Sequence, residues 1–327
     1  CVCTGGLKGA ESFLSCTCYN TRKSKEAMML GCYLDPRNDY AFRRIFGDEK
    51  REHVLRHFLN SVLELQGDRQ IEHLRIADPH QVPKLKDHKE TILDVRCKDQ
   101  CGREFIVEMQ VSDQKDFEHR AVYYVAKSYV NQLRKGDDYT QLRKVTLLSI
   151  LDFPFLEGPD YLSTHLILDK KTGEHKLKDF EFAFLELAKF HKKEDELRTI
   201  EEKWSFFFKY AHKTPIRHIP SALHDPDIEE AFQVLEEIGR DQLETQLYEK
   251  ADMDRMDRTS QLATSYEKGH KEGHKEGHKK GRKEGEERGL KRGKQQIARK
   301  LRSMGLDVAA IAKATGLSHQ EIAALDP

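Results

Sequence analysis

The chain has no apolar run approaching the roughly 20 residues that a membrane-spanning helix needs, and no basic-then-apolar segment at its front. Both absences point to a cytoplasmic protein. It also has no net charge: 56 Lys and Arg balance 56 Asp and Glu, so the global balance attracts neither nucleic acid nor a membrane surface. Any such attraction must come from local clusters. Cysteine is missing after Cys101, and the seven in the chain are odd in number and scattered, which excludes a secreted disulfide framework. The C-x-C pairs Cys1 with Cys3 and Cys16 with Cys18 offer a zinc reading, but no apolar pattern around them would build a folded knuckle. Met28 or Met29 is the expected true start, which leaves residues 1–33 unassigned. Large apolar residues become scarce in the last third, so we expect a core followed by an extended tail.

What is present begins near Asp35. NDYAFRRIFGDEKREHVLRHFLNSVLEL carries apolar residues at helical spacing and reads as two packed helices. IEHLRIAD, ILDVRC and REFIVEMQV follow as short strands, with turn chemistry around Gly102. An amphipathic helix is expected from about Phe117 to Lys135, capped by Gly136. KVTLLSILDF, YLSTHLILD and DFEFAFLEL supply further strands, and 201–250 reads as helix, with Trp204, Phe206, Phe207 and Phe208 covering a core. The order helix, strands, helix, strand makes the class α/β, a mixed central sheet flanked by helices with a helical C-terminal extension. The expected divisions are 34–250 for this domain, 251–295 for a glycine repeat and 296–327 for a small helical module.

In the repeat, glycine recurs every fourth residue from Gly269 to Gly293, and basic residues exceed acidic ones by seven between Glu267 and Lys300. Two readings stand: a basic helix whose glycine stripe packs against another helix, or a solvated linker. His270, His274 and His278 have chelating spacing, which a low-complexity repeat also produces without selection for metal. Phosphate-backbone binding is the better use of such charge. Farther on, Val308, Ile311 and Ala312 form one apolar face, Gly316 stops a helix, and Ser318 with Glu321 forms a capping box. The pattern is similar to a helix-turn-helix, although its short second helix lacks an arginine for reading bases.

The chemistry lies in ILDVRCKDQCGREFIVEMQ. A turn centred near Cys101 pairs positions summing to 202, setting Asp94 against Glu108 and Ile92 against Gln110. Alternation then puts Glu108 and Gln110 on one face, and Phe105, Val107, Met109 and Val111 on the other. Opposed carboxylates repel, and on strands this apolar they need a partner or a function. A Mg²⁺ ion between them would supply one, and it would polarise a phosphodiester. The alternative is an Asp and a Glu on a solvated sheet edge. On the helix after this hairpin, Arg120 and Tyr124 share a face at i, i+4 and could meet a phosphate, with core packing the competing use of the tyrosines.

ILDV, the fourteen-residue interval to Glu108 and the E-x-Q of Glu108 to Gln110 resemble the core of the PD-(D/E)XK nuclease superfamily. With NDYAFRRIFGDE, HRAVYYVAKSYVNQLRKGDDY, FLELAKF and the glycine-repeat tail, the chain resembles its recombination-promoting nuclease or putative transposase family from about Asp35 to Leu325. That resemblance implies a restriction-endonuclease-like core and a Mg²⁺-dependent DNA endonuclease, with Mn²⁺ as a substitute ion. It implies Asp94 and Glu108 as metal ligands, with the Met109 carbonyl as an added one. Gln110 stands where the superfamily usually has lysine, and an amide can only orient water by hydrogen bonds. Lys89 is a candidate for the missing cation. Asp39 is a candidate additional acid, and equally a helix cap. The competing reading is a non-catalytic DNA-binding or self-assembly protein, a transposase remnant that forms homo-oligomers through its C-terminal helices.

Overall fold

Asn38 starts the first helix because its side-chain oxygen accepts from the Tyr40 and Ala41 N–H groups, giving two orphan donors a partner. Helix α1 (Asp39–Phe46) buries Ala41, Phe42, Ile45 and Phe46, and α2 (Glu52–Val62) buries Val54, Leu55, Phe58, Leu59 and Val62. The computed structural model describes residues 31–81, 91–112, 116–216 and 218–325. Lys89, the two C-x-C pairs and both candidate start methionines lie outside them. The chain divides into two compact units, the first ending at Met256 and the second running from Asp257.

The first unit is built on a six-stranded sheet in the order β1-β4-β5-β6-β8-β7. Its strands are β1 (Leu74–Ile76), β4 (Val95–Asp99), β5 (Glu104–Gln110), β6 (Val145–Leu151), β7 (Leu162–Ile167) and β8 (Leu177–Glu186). β1, β4 and β5 form an antiparallel meander, β6 is parallel to both β5 and β8, and β7 closes the edge antiparallel. Helix α3 (Phe117–Val130) makes the crossover that the parallel β5–β6 pair requires. β6 lies at the centre, buried along its whole length, as its run VTLLSIL demands.

One face of the sheet packs Val95, Cys97, Phe105, Val107 and Met109 against α1, α2, α4 (Ile200–Tyr210) and α5 (Pro226–Arg240). Phe46, Phe58, Trp204 and Phe208 interlock there with ring centroids 5.2–6.4 Å apart. The other face sets Leu93, Ile106, Val145 and Leu147 under Ala121 and Val125 of α3. These two layers fix β5 from both sides. Glu104, Glu108 and Gln110 are therefore on the α3 face, opposite Phe105, Val107 and Met109.

Four expectations change in the first unit. α3 ends at Val130 with Asn131 as its cap, not at Gly136, and Gln132 beyond it bonds both the N–H and the C=O of Arg143. The segment 201–250 is three helices: Pro215, Pro220 and Pro226 separate α4 from α5, with Pro226 in the first turn of α5, and the extended Asp241 ends α5 and caps the next helix by accepting from the Leu243 and Glu244 N–H groups. Ile92 pairs with His80 in a separate two-stranded sheet of β2 (His80–Gln81) and β3 (Thr91–Ile92), not with Gln110. Phe206 is only partly buried beside its fully buried neighbours Trp204, Phe207 and Phe208.

The glycine repeat is helical: it belongs to α6 (Gln242–Ser303), whose seven repeat glycines have nothing within 4 Å of where a Cβ would stand. In the second unit, Ala298 joins Ile311, Leu317, Ile322 and Leu325 in a small core with α7 (Val308–Thr315) and α8 (His319–Ala323). Gly316 supplies the left-handed turn at φ +71°, and the Ser318–Glu321 capping box forms. Val308, the first residue of α7, is 41% exposed and stands outside this core, whereas Ile311 and Ala312 join it.

Candidate active site

The β4–β5 hairpin turns at Gly102, whose φ of +78° suits glycine, and the Asp99 carboxylate accepts from the Cys101 and Arg103 N–H groups. That turn sets the register. Val95 faces Val107, Arg96 faces Ile106 and Cys97 faces Phe105, all pairs summing to 202. β4 begins at Val95, so Asp94 lies one residue beyond the ladder, where the chain bends away toward β3.

At that bend side chains replace ladder bonds. The Asp94 N–H donates to Glu108 Oε1 at 3.1 Å, and the Met109 N–H donates to Asp94 Oδ2 at 3.0 Å. The two carboxylates are thereby brought together. The N–H and C=O of one strand residue point to the same edge, so the Met109 carbonyl is directed toward Asp94 as well. Gln110 Nε2 reaches Glu108 Oε2 at 3.4 Å, and Arg120 on α3 donates to Gln110 Oε1 at 3.2 Å. The Arg120 guanidinium lies 5.4 Å from the centre of the Phe117 ring.

Both acids are held away from water, Glu108 at 4% exposure. Burial raises the Glu108 carboxyl well above the ordinary range, and the neighbouring Asp94 raises it further. Asp94 is also raised, first by burial, against the lowering effects of the Met109 N–H and Arg43. Glu104, two turns of the strand pleat away on the same face, makes a useful contrast. It is buried too, but Arg96 and the Ser128 hydroxyl hold it as a structural ion pair. Glu108 instead faces a second acid. Across the parallel register from Glu108 is Ser149, whose fully buried hydroxyl has no hydrogen-bond partner among the described residues.

Asp39 is the first residue of α1, and its charge pushes the Asp94 carboxyl up, so it faces the same site. Asn38, not Asp39, caps that helix. Tyr124 is half-buried on α3, and its hydroxyl is pushed up by burial and then by Glu108. Tyr123, one residue earlier, is exposed under Lys127. Thus Asp39, Asp94, Glu108, Met109, Gln110, Arg120 and Tyr124 converge. Arg43 was not singled out from the sequence, yet its guanidinium donates to Asp94 Oδ1 at 2.9 Å. The available signal was its i, i+4 spacing from Asp39 on the polar side of α1.

A second group of ligand-type side chains, His57, Asp225 and Asp227, lies between α2 and the start of α5. There the buried Trp204 Nε1 donates to His57 Nδ1 at 3.2 Å, while Asp225 and Asp227 approach different ring nitrogens. That arrangement ties the helix layer together by polar contacts. The exposed trio Asp116, Glu118 and His119 opens α3.

No helix among the described residues is long and apolar enough to cross a membrane. No curated protein and no solved structure matches the chain. Residues 36–265 match the family model described as PD-(D/E)XK nuclease family transposase. With that match spanning most of the first unit, including the mixed sheet and the converging acids, the chain belongs to the PD-(D/E)XK nuclease family transposases and has a restriction-endonuclease-like fold.

Proposed function

We propose that the chain is a Mg²⁺-dependent DNA endonuclease of low sequence specificity, acting in DNA recombination or transposition through Asp94, Glu108 and Gln110. Family membership suggests a nuclease-like or transposase-related role with DNA as substrate. The observation that carries the finer reading is the bridged acid pair, in which Asp94 N–H bonds Glu108 while Met109 N–H bonds Asp94.

The donor set fits a hard divalent ion: two carboxylates and a backbone carbonyl, with neither sulfur nor imidazole among them. A pair of acids raised first by burial, with Asp94 raising Glu108 further, is also what a cation would relieve. Asp94, Glu108 and the Met109 carbonyl would hold it, and when bound it stabilises negative charge on the phosphate and lowers the pKa of water. Gln110, kept in place by Arg120, orients a water through its amide. Arg120 and Tyr124 border the same space from α3 and contact the phosphate backbone. Lys89 stays a candidate cation. The exposed basic residues of α6 add sequence-independent, salt-sensitive affinity for DNA.

The test is cleavage of a supercoiled plasmid against a Mg²⁺ titration, with Asp94→Ala alongside. Metal-dependent nicking or linearisation by the parent chain and none by the variant is the expected result. Equal cleavage by the two overturns the assignment.

A further inference from the structure

Arg43 is the one cation bonded directly to the acid pair among the described side-chain contacts, and nothing in the proposed chemistry uses it. Its backbone is rigid. α1 is fixed by the Asn38 cap and by Phe42 and Phe46, which flank Arg43 on the buried side of the helix. Its side chain is not: it is 46% exposed, whereas Asp94 is 13% exposed. A guanidinium that is half in water can leave its partner at little cost, because solvent takes over its hydrogen bonds. Asp94 cannot follow it, being tied to the Met109 N–H and to Glu108 through its own N–H. Asp39 shares this side of α1 one turn earlier, so the helix presents one anion and one cation to the same acids.

We propose that Arg43 is an exchangeable counter-cation of Asp94: it neutralises the acid pair in the metal-free protein, yields Asp94 to the divalent ion, and then binds a phosphate of the DNA beside the cut. The inference rests on the reading of Asp94 and Glu108 as metal ligands. Two cations cannot both neutralise one carboxylate oxygen at close range without repelling each other, so occupancy by the ion displaces the guanidinium. Once released, a planar five-donor group on a fixed helix has the geometry that phosphate oxygens accept. Arginine is thus tied to both states of the site, through one carboxylate in the first and through DNA in the second.

The experiment uses the full chain with Asp94→Asn, Arg43→Met and Arg43→Lys, and titrates Mn²⁺ calorimetrically without DNA. Arg43→Met is expected to bind Mn²⁺ about fivefold more tightly, the equilibrium worth of a half-exposed ion pair. Its melting temperature should fall without metal and return to the parental value with saturating Mn²⁺. In Ca²⁺, its duplex-DNA affinity should fall with a salt slope smaller by about one, while Arg43→Lys keeps the parental slope. Unchanged Mn²⁺ affinity in Arg43→Met, or a melting deficit that metal does not repair, makes Arg43 a structural contact and overturns the proposal. Undiminished Mn²⁺ binding by Asp94→Asn removes instead the metal reading on which it stands.

Discussion

Glu108 and Glu321 are carboxylates that both accept a backbone N–H, yet their surroundings push them in opposite directions. Glu108 is buried against Asp94 and is raised well above the ordinary range. Glu321, in the exposed capping box of α8, is drawn down to about 2 by the Ser318 N–H, with Lys291 and the Ser318 hydroxyl assisting. The difference teaches what each unit does with charge. In the second unit an acid is ionised, solvated and used to start a helix. In the first an acid is kept where ionisation is costly, a setting that the proposed cation would relieve.

The widest break in that comparison is the loss of an acid. Asp94→Ala should lower metal-dependent cleavage by about 10³-fold while the fold persists, because only the edge of the hairpin is touched. Glu321→Ala should leave cleavage by the first unit unchanged. Plasmid assays with circular dichroism on the same samples read both. Removing the chain after Tyr266 should act differently again. Cleavage should survive, but affinity for duplex DNA should drop by about 10²-fold at low salt and converge on the parental value as salt rises. Loss of all cleavage in the truncated chain would favour the binding or assembly reading over the nuclease.

Stability sharpens the contrast. A carboxyl raised in the folded state contributes stability that is fully present below its ordinary pKa and is lost as pH rises through the raised value. Metal-free protein should therefore weaken toward alkaline pH on account of Glu108. Glu108→Gln keeps an acceptor for the Asp94 N–H and removes the charge, so it should stabilise the metal-free chain at pH 8. The gain should vanish below about pH 4. The same substitution should abolish cleavage, so that stability and activity move in opposite senses. Glu321 carries the opposite sign: its contribution is present above the ordinary carboxylate pKa and is lost as pH falls through about 2. Denaturant titrations at several pH values separate the two.

How much of this was legible depended on whether the cause was local. The hairpin register was, because the Asp99–Arg103 turn dictates pairs summing to 202 and the alternation of β5 sorts its faces. So were the Gly316 stop and the Ser318 cap, which are fixed within a few residues. Ile92 was not: the chain bends at Asp94 and joins a second sheet, a choice made by His80 some distance away in sequence. The breaks of 201–250 into three helices carried readable signals, three prolines at the first and the capping Asp241 at the second, that apolar periodicity overrode. Arg43 was hidden for a different reason. An arginine on the polar face of an amphipathic helix reads as a solvated charge until the tertiary fold sets an acid beside it.

The smallest effect concerns the glycine stripe of α6, which the sequence left between helix and linker because each glycine costs about 1 kcal/mol of helix propensity against alanine. Within the chain, a Cβ at Gly277, Gly281 or Gly285 meets nothing within 4 Å. Replacing all three by alanine should therefore raise helicity, by up to about 1 kcal/mol per site, and leave cleavage unchanged. The substitution also tests why glycine is there. If two copies pack through the stripe, the added methyl groups would force the helices apart, and sedimentation would report a smaller particle despite a firmer helix. If mass is unchanged, close helix packing is removed as an explanation for the repeat. What remains is a helix of low intrinsic propensity over 269–293, whose glycines meet no neighbour within the chain.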